Sequence, residues 1–293
     1  MLGLSTAISS MTVSAQNDMT SETAVENVSK FSINFRARAE HVSDEGLAKD
    51  ALAPSLRTRL RFDSANWHQL SAAVELDNVT YLANDRFNNT RNGQGQYPVV
   101  ADPKGSDLNQ FYLQYNNNGT TLKAGRQRIL HGDQRFIGGV GWRQNEQTYD
   151  GLTWQQQWGD DIQLHYGWID ETQRIFGPDE GNPAASLDSD HHVVNLDWSV
   201  SDQLTLSLFS YDLDFSEAAA LSSRTVGLDV KGSFADNWSY RVMAADQRDS
   251  ANNPVDYSAN YWLASLSARF DGITLAVTET SLGGNAACFS GVG

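Results

Sequence analysis

Short runs of alternating apolar and polar residues come in pairs along this chain, and the connections between runs are tight and long by turns. The tight ones read NNNG (116–119), WGDD (158–161), SVSDQ (199–203), FADNW (234–238) and FDG (270–272). The long ones fall between them, at 41–53, 84–107, 131–147, 170–190, 214–223 and 246–258. An up-and-down transmembrane β-barrel produces this rhythm, because small turns line one side of the bilayer and large loops the other. A soluble sandwich has no reason to gather every long loop at one end.

The faces of the runs sharpen the reading. Phe31, Ile33, Phe35, Ala37 and Ala39 alternate with Ser32, Asn34, Arg36, Arg38 and Glu40. Leu56, Thr58, Leu60 and Phe62 oppose Arg57, Arg59, Arg61 and Asp63; Leu70, Ala72, Val74 and Leu76 oppose Ser71, Ala73, Glu75 and Asp77. The pattern recurs through Phe111, Leu113 and Tyr115, through Val194, Leu196 and Trp198, and through Trp262, Ala264 and Leu266. About thirteen such strands are predicted, the last over 273–281, with no βαβ pattern between them. Trp158, Trp168, Trp198 and Trp238 sit where apolar faces end, as an interfacial aromatic belt requires. The fold class is therefore all-β, an antiparallel up-and-down transmembrane β-barrel.

Composition agrees. Of 293 residues, 40% are hydrophobic, yet no stretch is apolar enough for a helical span. A barrel tolerates that polarity, since only alternate strand residues meet lipid. The net charge of −15 argues against a nucleic-acid partner. Acidic loop positions such as Asp179, Glu180, Asp188 and Asp190 are read as solvating groups, or as sites of divalent-cation bridging within the loops or to lipopolysaccharide. A lone Cys288 excludes an internal disulfide, and neither Cys-pair nor HExxH spacing is present, so no cofactor or structural metal is expected. His191 and His192 are neighbours that point to opposite faces of a strand, a poor arrangement for shared ligation.

Residues 1–15 read as a partial signal peptide ending in Val13-Ser14-Ala15, and 16–30 as a flexible polar segment. The barrel domain is placed at 31–282, and 283–293 as an aberrant tail.

The stretch 125–151, GRQRILHGDQRFIGGVGWRQNEQTYDG, resembles the signature of the alginate-export outer-membrane porin family. Its pieces are Gly125-Arg126-Gln127, Gly132-Asp133-x-Arg135-Phe136-Ile137-Gly138, Trp142-Arg143-Gln144-Asn145 and Tyr149-Asp150-Gly151. Arg57-x-Arg59 and the strand 107–116 also fit, and the resemblance spans about 31–282. It implies an outer-membrane channel with an electropositive pore that conducts an acidic polysaccharide outward, and it does not imply catalysis. The family pattern continues beyond Leu282 to further strands, so the expectation is a C-terminally truncated barrel.

The candidate pore lining comprises Arg36, Arg38, Arg57, Arg59 and Arg61, with Glu75 and Asp77 as neighbouring acids, and Arg126, Arg128, Arg135 and Arg143 from the signature block. The arginines either form a basic ladder for a carboxylated cargo or brace the wall through salt bridges, and the sequence leaves both readings open. Alternation breaks at Gly125, so the faces of Lys123, Arg126 and Arg128 are also open. Gly138, Gly139 and Gly141 lack the strand–loop–helix setting of a phosphate cradle, and the segment is read as a loop folded into the pore. Phe136, Trp142 and Tyr149 are candidates for stacking on sugar rings, with packing as the plainer role. The function expected is passive conduction of an anionic solute or acidic oligo- or polysaccharide through the outer membrane. The alternatives are a non-conducting structural or adhesion barrel and, with no nucleophile–base grouping in view, an outer-membrane enzyme.

Overall fold

The computed structural model describes residues 7–14, 27–235 and 237–284, the first of these as backbone. Most of the predicted leader, the segment after it and the end of the tail lie outside the described residues. The strands are β1 (Ala7–Ser14), β2 (Lys30–Val42), β3 (Ala51–Asp63), β4 (Leu70–Tyr81), β5 (Gly105–Asn117), β6 (Thr120–Gln127) and β7 (Thr148–Trp158). They continue as β8 (Ile162–Gln173), β9 (Ser186–Ser201), β10 (Leu204–Leu213), β11 (Ser223–Phe234), β12 (Trp238–Asp249), β13 (Ser258–Phe270) and β14 (Ile273–Gly284). Strands β2 to β14 are the thirteen that the alternation predicts, and β14 runs two residues past 282. The backbone of β1, within the predicted leader, adds a strand against β2.

Every strand pairs antiparallel with its sequence neighbours in one continuous sheet. Among the described residues the first and last strands are not paired with each other, so the sheet is unclosed. Connections alternate as expected, with two residues between β5 and β6 and long segments between β4 and β5 and between β6 and β7. Asp188 and Asp190, read as loop residues, belong to β9, which begins at Ser186 and carries both on its exposed outer face.

The polarity of the sheet is reversed relative to a soluble protein. Phe31, Ile33, Phe35, Phe62, Phe111, Leu113, Leu152, Val226 and Leu266 are exposed, while Arg57, Glu75, Asp77, Asn109 and Gln110 are buried on the opposite face. So broad an apolar surface would aggregate in water and is stable in lipid. At the short-turn end, Phe234 and Trp238 stack at 5.9 Å and Phe270 meets Trp238 edge-on at 6.3 Å, forming part of the aromatic belt. Trp168 is an exception, because β8 extends to Gln173; it lies within the strand and donates its indole N–H to Asp190 at 2.9 Å.

The inward face is not polar throughout. Phe209, Tyr211 and Leu213 of β10, Met243 of β12 and Leu263 of β13 bury against Ile129, Phe136 and Ile137 of the β6–β7 loop. A second cluster gathers Ala51, Ala53, Phe87 and Val100 under the β4–β5 connection. These clusters hold two long loops against the concave wall, with each fully buried large side chain contributing about 1.5–3 kcal/mol.

Candidate functional site: an arginine–carboxylate wall and the loop across it

Strands β2 to β5 place their polar residues in register, and cross-strand partners share a face. Arg59 lies opposite Asp77, and Arg61 opposite Glu75. Arg59 grips Asp77 through two N–H bonds of 2.7 and 2.6 Å, and Arg61 holds Asp63 at 2.6 Å, Glu75 at 3.2 Å and the Tyr112 hydroxyl at 3.2 Å. Bidentate geometry of this kind is the strong form of the guanidinium–carboxylate pair.

The loop 128–147 completes the network. Arg128 donates to Glu146 at 2.7 Å and also to Glu75, and Glu146 lies 3.0 Å from Arg59. Asn109 donates to both carboxylates, at 2.7 Å to Glu75 and 2.8 Å to Glu146. Burial alone would raise the pKa of Glu146, but the charges of Arg59 and Arg128, with hydrogen bonds from Asn109 and Arg128, hold it down at about 2. Further along, Arg36 donates to the Gln144 amide oxygen at 2.9 Å, to the Gly141 carbonyl at 2.7 Å and to the Arg143 carbonyl. Asp102 accepts from the Gln144 backbone N–H and from Arg38, both at 2.8 Å, while Arg143 reaches Glu40 at 3.3 Å. On the far side Asp133 meets Arg241 of β12 at 3.2 Å, and Arg135 stacks over Tyr261 of β13 at 4.4 Å. The loop thus reaches from β2–β3 to β12–β13 across the concave face.

Most of the predicted residues converge here. Arg36, Arg38, Arg59, Arg61, Arg128, Arg143, Glu75 and Asp77 share the network, Arg57 adjoins it, and Arg135 lies at its far end. Arg126 does not join. It pairs in register with Phe111 and Asp150, and its neighbour two residues away, Ala124, pairs with the exposed Leu113 and Leu152, so Arg126 belongs to the outer face. There it forms a bidentate pair with Asp150, both bonds 2.8 Å. Lys123 and Arg128 take the inward face; Lys123 lies 4.9 Å from the ring centre of Tyr112. Phe136 and Tyr149 are buried packing residues; Trp142 is exposed, with Arg143 3.9 Å and Arg38 5.2 Å from its ring centre. His191 is buried and accepts from the Asp214 backbone N–H, while His192 faces outward beside Tyr166, as their adjacency predicts.

Sequence reasoning passed over Glu146, Asp102, Asn109 and Gln144, which lie outside any alternating run or at a bulge. It also passed over His131, whose Nε2 shares a 2.9 Å hydrogen bond with Nδ1 of His165 on β8. That contact fastens the start of the loop to the wall. Burial and the neighbouring His165 hold the pKa of His131 down at about 3. Among the described residues no group of three or more His, Cys, Asp or Glu is placed to hold a metal.

A comparison with protein families bears directly on this wall and loop, because the family model described as alginate export matches residues 28–166. That stretch holds β2 to β7, the whole loop 128–147 and the arginine–carboxylate wall. It is similar to alginate-export sequence. The match covers just under half of the chain. No curated protein matches it. Among solved structures, OccAB4 of Acinetobacter baumannii superposes with a TM-score of 0.70 at 13% identity, covering 90% of this chain and 70% of that one. OpdO of Pseudomonas aeruginosa gives 0.67 at 12% identity, covering 87% and 65%, and OccK8 (OprE) of the same organism gives 0.66 at 15%, covering 88% and 69%. The chain therefore spans roughly two thirds of the length of these structures. At such identities the likeness is one of fold, and the fold is that of outer-membrane porin barrels.

Proposed function

We propose that the protein is an outer-membrane channel of the alginate-export type that passively conducts an anionic solute or acidic oligosaccharide past the arginine–carboxylate wall. The observation that carries this reading is the reversed polarity of the sheet: apolar side chains cover one face, and the other carries charge beneath an inward-folded loop. The match to the alginate-export model over that wall and loop supports it, as does the porin-barrel fold. Loop 128–147 acts as the constriction, and its exposed Trp142, flanked by two guanidinium groups, offers a surface for a sugar carboxylate. Lipid and lipopolysaccharide cover the apolar face, with divalent cations bridging outward acids such as Asp188 and Asp190. Transport rather than catalysis follows from the same features.

The test is planar-bilayer conductance under a salt gradient. A reversal potential on the anion side is expected, moving towards cation preference when Arg57, Arg59 and Arg61 are all replaced by Gln, since Asp63 and Asp77 then lose their guanidinium partners and Glu75 keeps only Arg128. Unchanged selectivity would discard the arginine wall as the selective element. The many contacts that tie the loop across the concave face favour one second reading, a non-conducting structural barrel. Zero conductance from membrane-inserted protein would establish that reading instead.

A further inference from the structure

Among the described arginines of β2 and β3, Arg36 and Arg57 have no carboxylate within ion-pair distance. Arg36 and Arg57 stand directly opposite each other in the β2–β3 register, where like charges repel. The carboxylates of the wall are engaged elsewhere: Glu40 and Asp102 by Arg38 and Arg143, Asp63 by Arg61, Asp77 by Arg59, and Glu75 and Glu146 by Arg59 and Arg128. Arg36 directs its N–H groups to neutral acceptors of the loop, namely Gly141, Arg143 and Gln144. Arg57 is 5% exposed, and its Nε and Nη1 have no acceptor among the described residues. The hydroxyl of Ser55, two residues away on the same face, is already taken up by Gln144.

A buried cation facing a second cation is among the costliest arrangements a protein can hold, and it persists where an anion neutralises it. We infer that Arg36 and Arg57 form a binding site for a small monovalent anion of halide size, held beneath loop residues 141–144. The anion accepts from Nε and Nη1 of Arg57 and offsets the repulsion between the two guanidinium groups. It is a resident counter-ion that joins the loop to the wall, and it is distinct from any cargo. The inference requires the fold and does not require conduction, so a channel that fails to conduct leaves it intact.

The test compares thermal midpoints of the full chain, refolded in detergent micelles, at fixed ionic strength as sodium gluconate is exchanged for sodium chloride. A ligand bound only by the native state raises the midpoint with its concentration, so a saturable rise of several degrees in chloride is expected. Arg57→Met should remove the chloride dependence and should be more stable than the parent in gluconate, because it deletes an unpaired buried charge. Equal parental midpoints in the two salts, or a chloride response that survives in Arg57→Met, would overturn the site. Should Arg57→Met not fold, crystals of the parent soaked in bromide decide. An anomalous peak between the two guanidinium groups supports the inference, and peaks confined to other positions refute it.

Discussion

Gly125 and Gly151 face each other in the β6–β7 register, and no other residue type fits either place. A Cβ on Gly125 would stand 2.3 Å from the Phe111 carbonyl oxygen, and one on Gly151 only 2.1 Å from that of Trp168. Gly125 also has φ of +119°, a backbone conformation that side chains of L-residues resist. The register nevertheless runs unbroken through Gly125, so the break in alternation read from the sequence is only one of residue type, and Arg126 follows Leu122 and Ala124 onto the outer face beside Asp150. Gly125→Ala is expected to lower stability by roughly 2 kcal/mol or more, through strain plus backbone collision, a loss measurable by urea titration of the refolded protein. A cost below about 0.5 kcal/mol, the range of an ordinary surface change, would show that the pair is not a packing requirement.

The loop 128–147 is the element that turns a β-sheet into a shaped site. It is held at its start by His131 against His165, midway by Asp102 and Arg36, and at its end by Glu146 between Arg59 and Arg128. These attachments respond to acid in different windows. His131 has its folded pKa depressed from 6.5 to about 3, so its contribution is full above pH 6.5 and lost as pH falls towards 3. Glu146, depressed from 4.5 to about 2, contributes fully above pH 4.5 and is lost only towards pH 2. Stability should therefore decline between pH 6.5 and 4.5 through buried histidine, His131 among the contributors, while Glu146 stays ionised. His131→Gln should make that decline shallower in a denaturant-midpoint series while leaving the loss through Glu146 below pH 4.5 in place. An unaltered slope in the variant would place the titrating group elsewhere.

For the molecule as a whole, everything depends on lipid contacting one face of the sheet and water the other. Leu113 and Gln114 are adjacent on β5, the first 60% exposed on the outer face and the second turned inward beside Ser71 and Lys123. An arginine at Leu113 should cost about 2–4 kcal/mol in bilayer refolding, and one at Gln114 far less. Equal costs would contradict the orientation of the sheet. The period-two pattern made the strands, their order and both faces legible, because alternation and turn spacing are local properties that one strand displays by itself. The arginines of β2 and β3 were legible for the same reason, and the signature block marked the loop. The partners of those arginines were not legible, because Glu146 and Asp102 arrive from long connections, and the face of Arg126 became readable only from its pairing with Phe111 and Asp150. The apolar packing of Phe136 against β10 was equally hidden, since a loop has no periodicity to reveal which residue it buries. The sequence alone determined an antiparallel sheet with an apolar side and a charged side. Tertiary structure decided which charges neutralise one another and left Arg36 and Arg57 without a carboxylate, because ion pairing depends on distances across the fold.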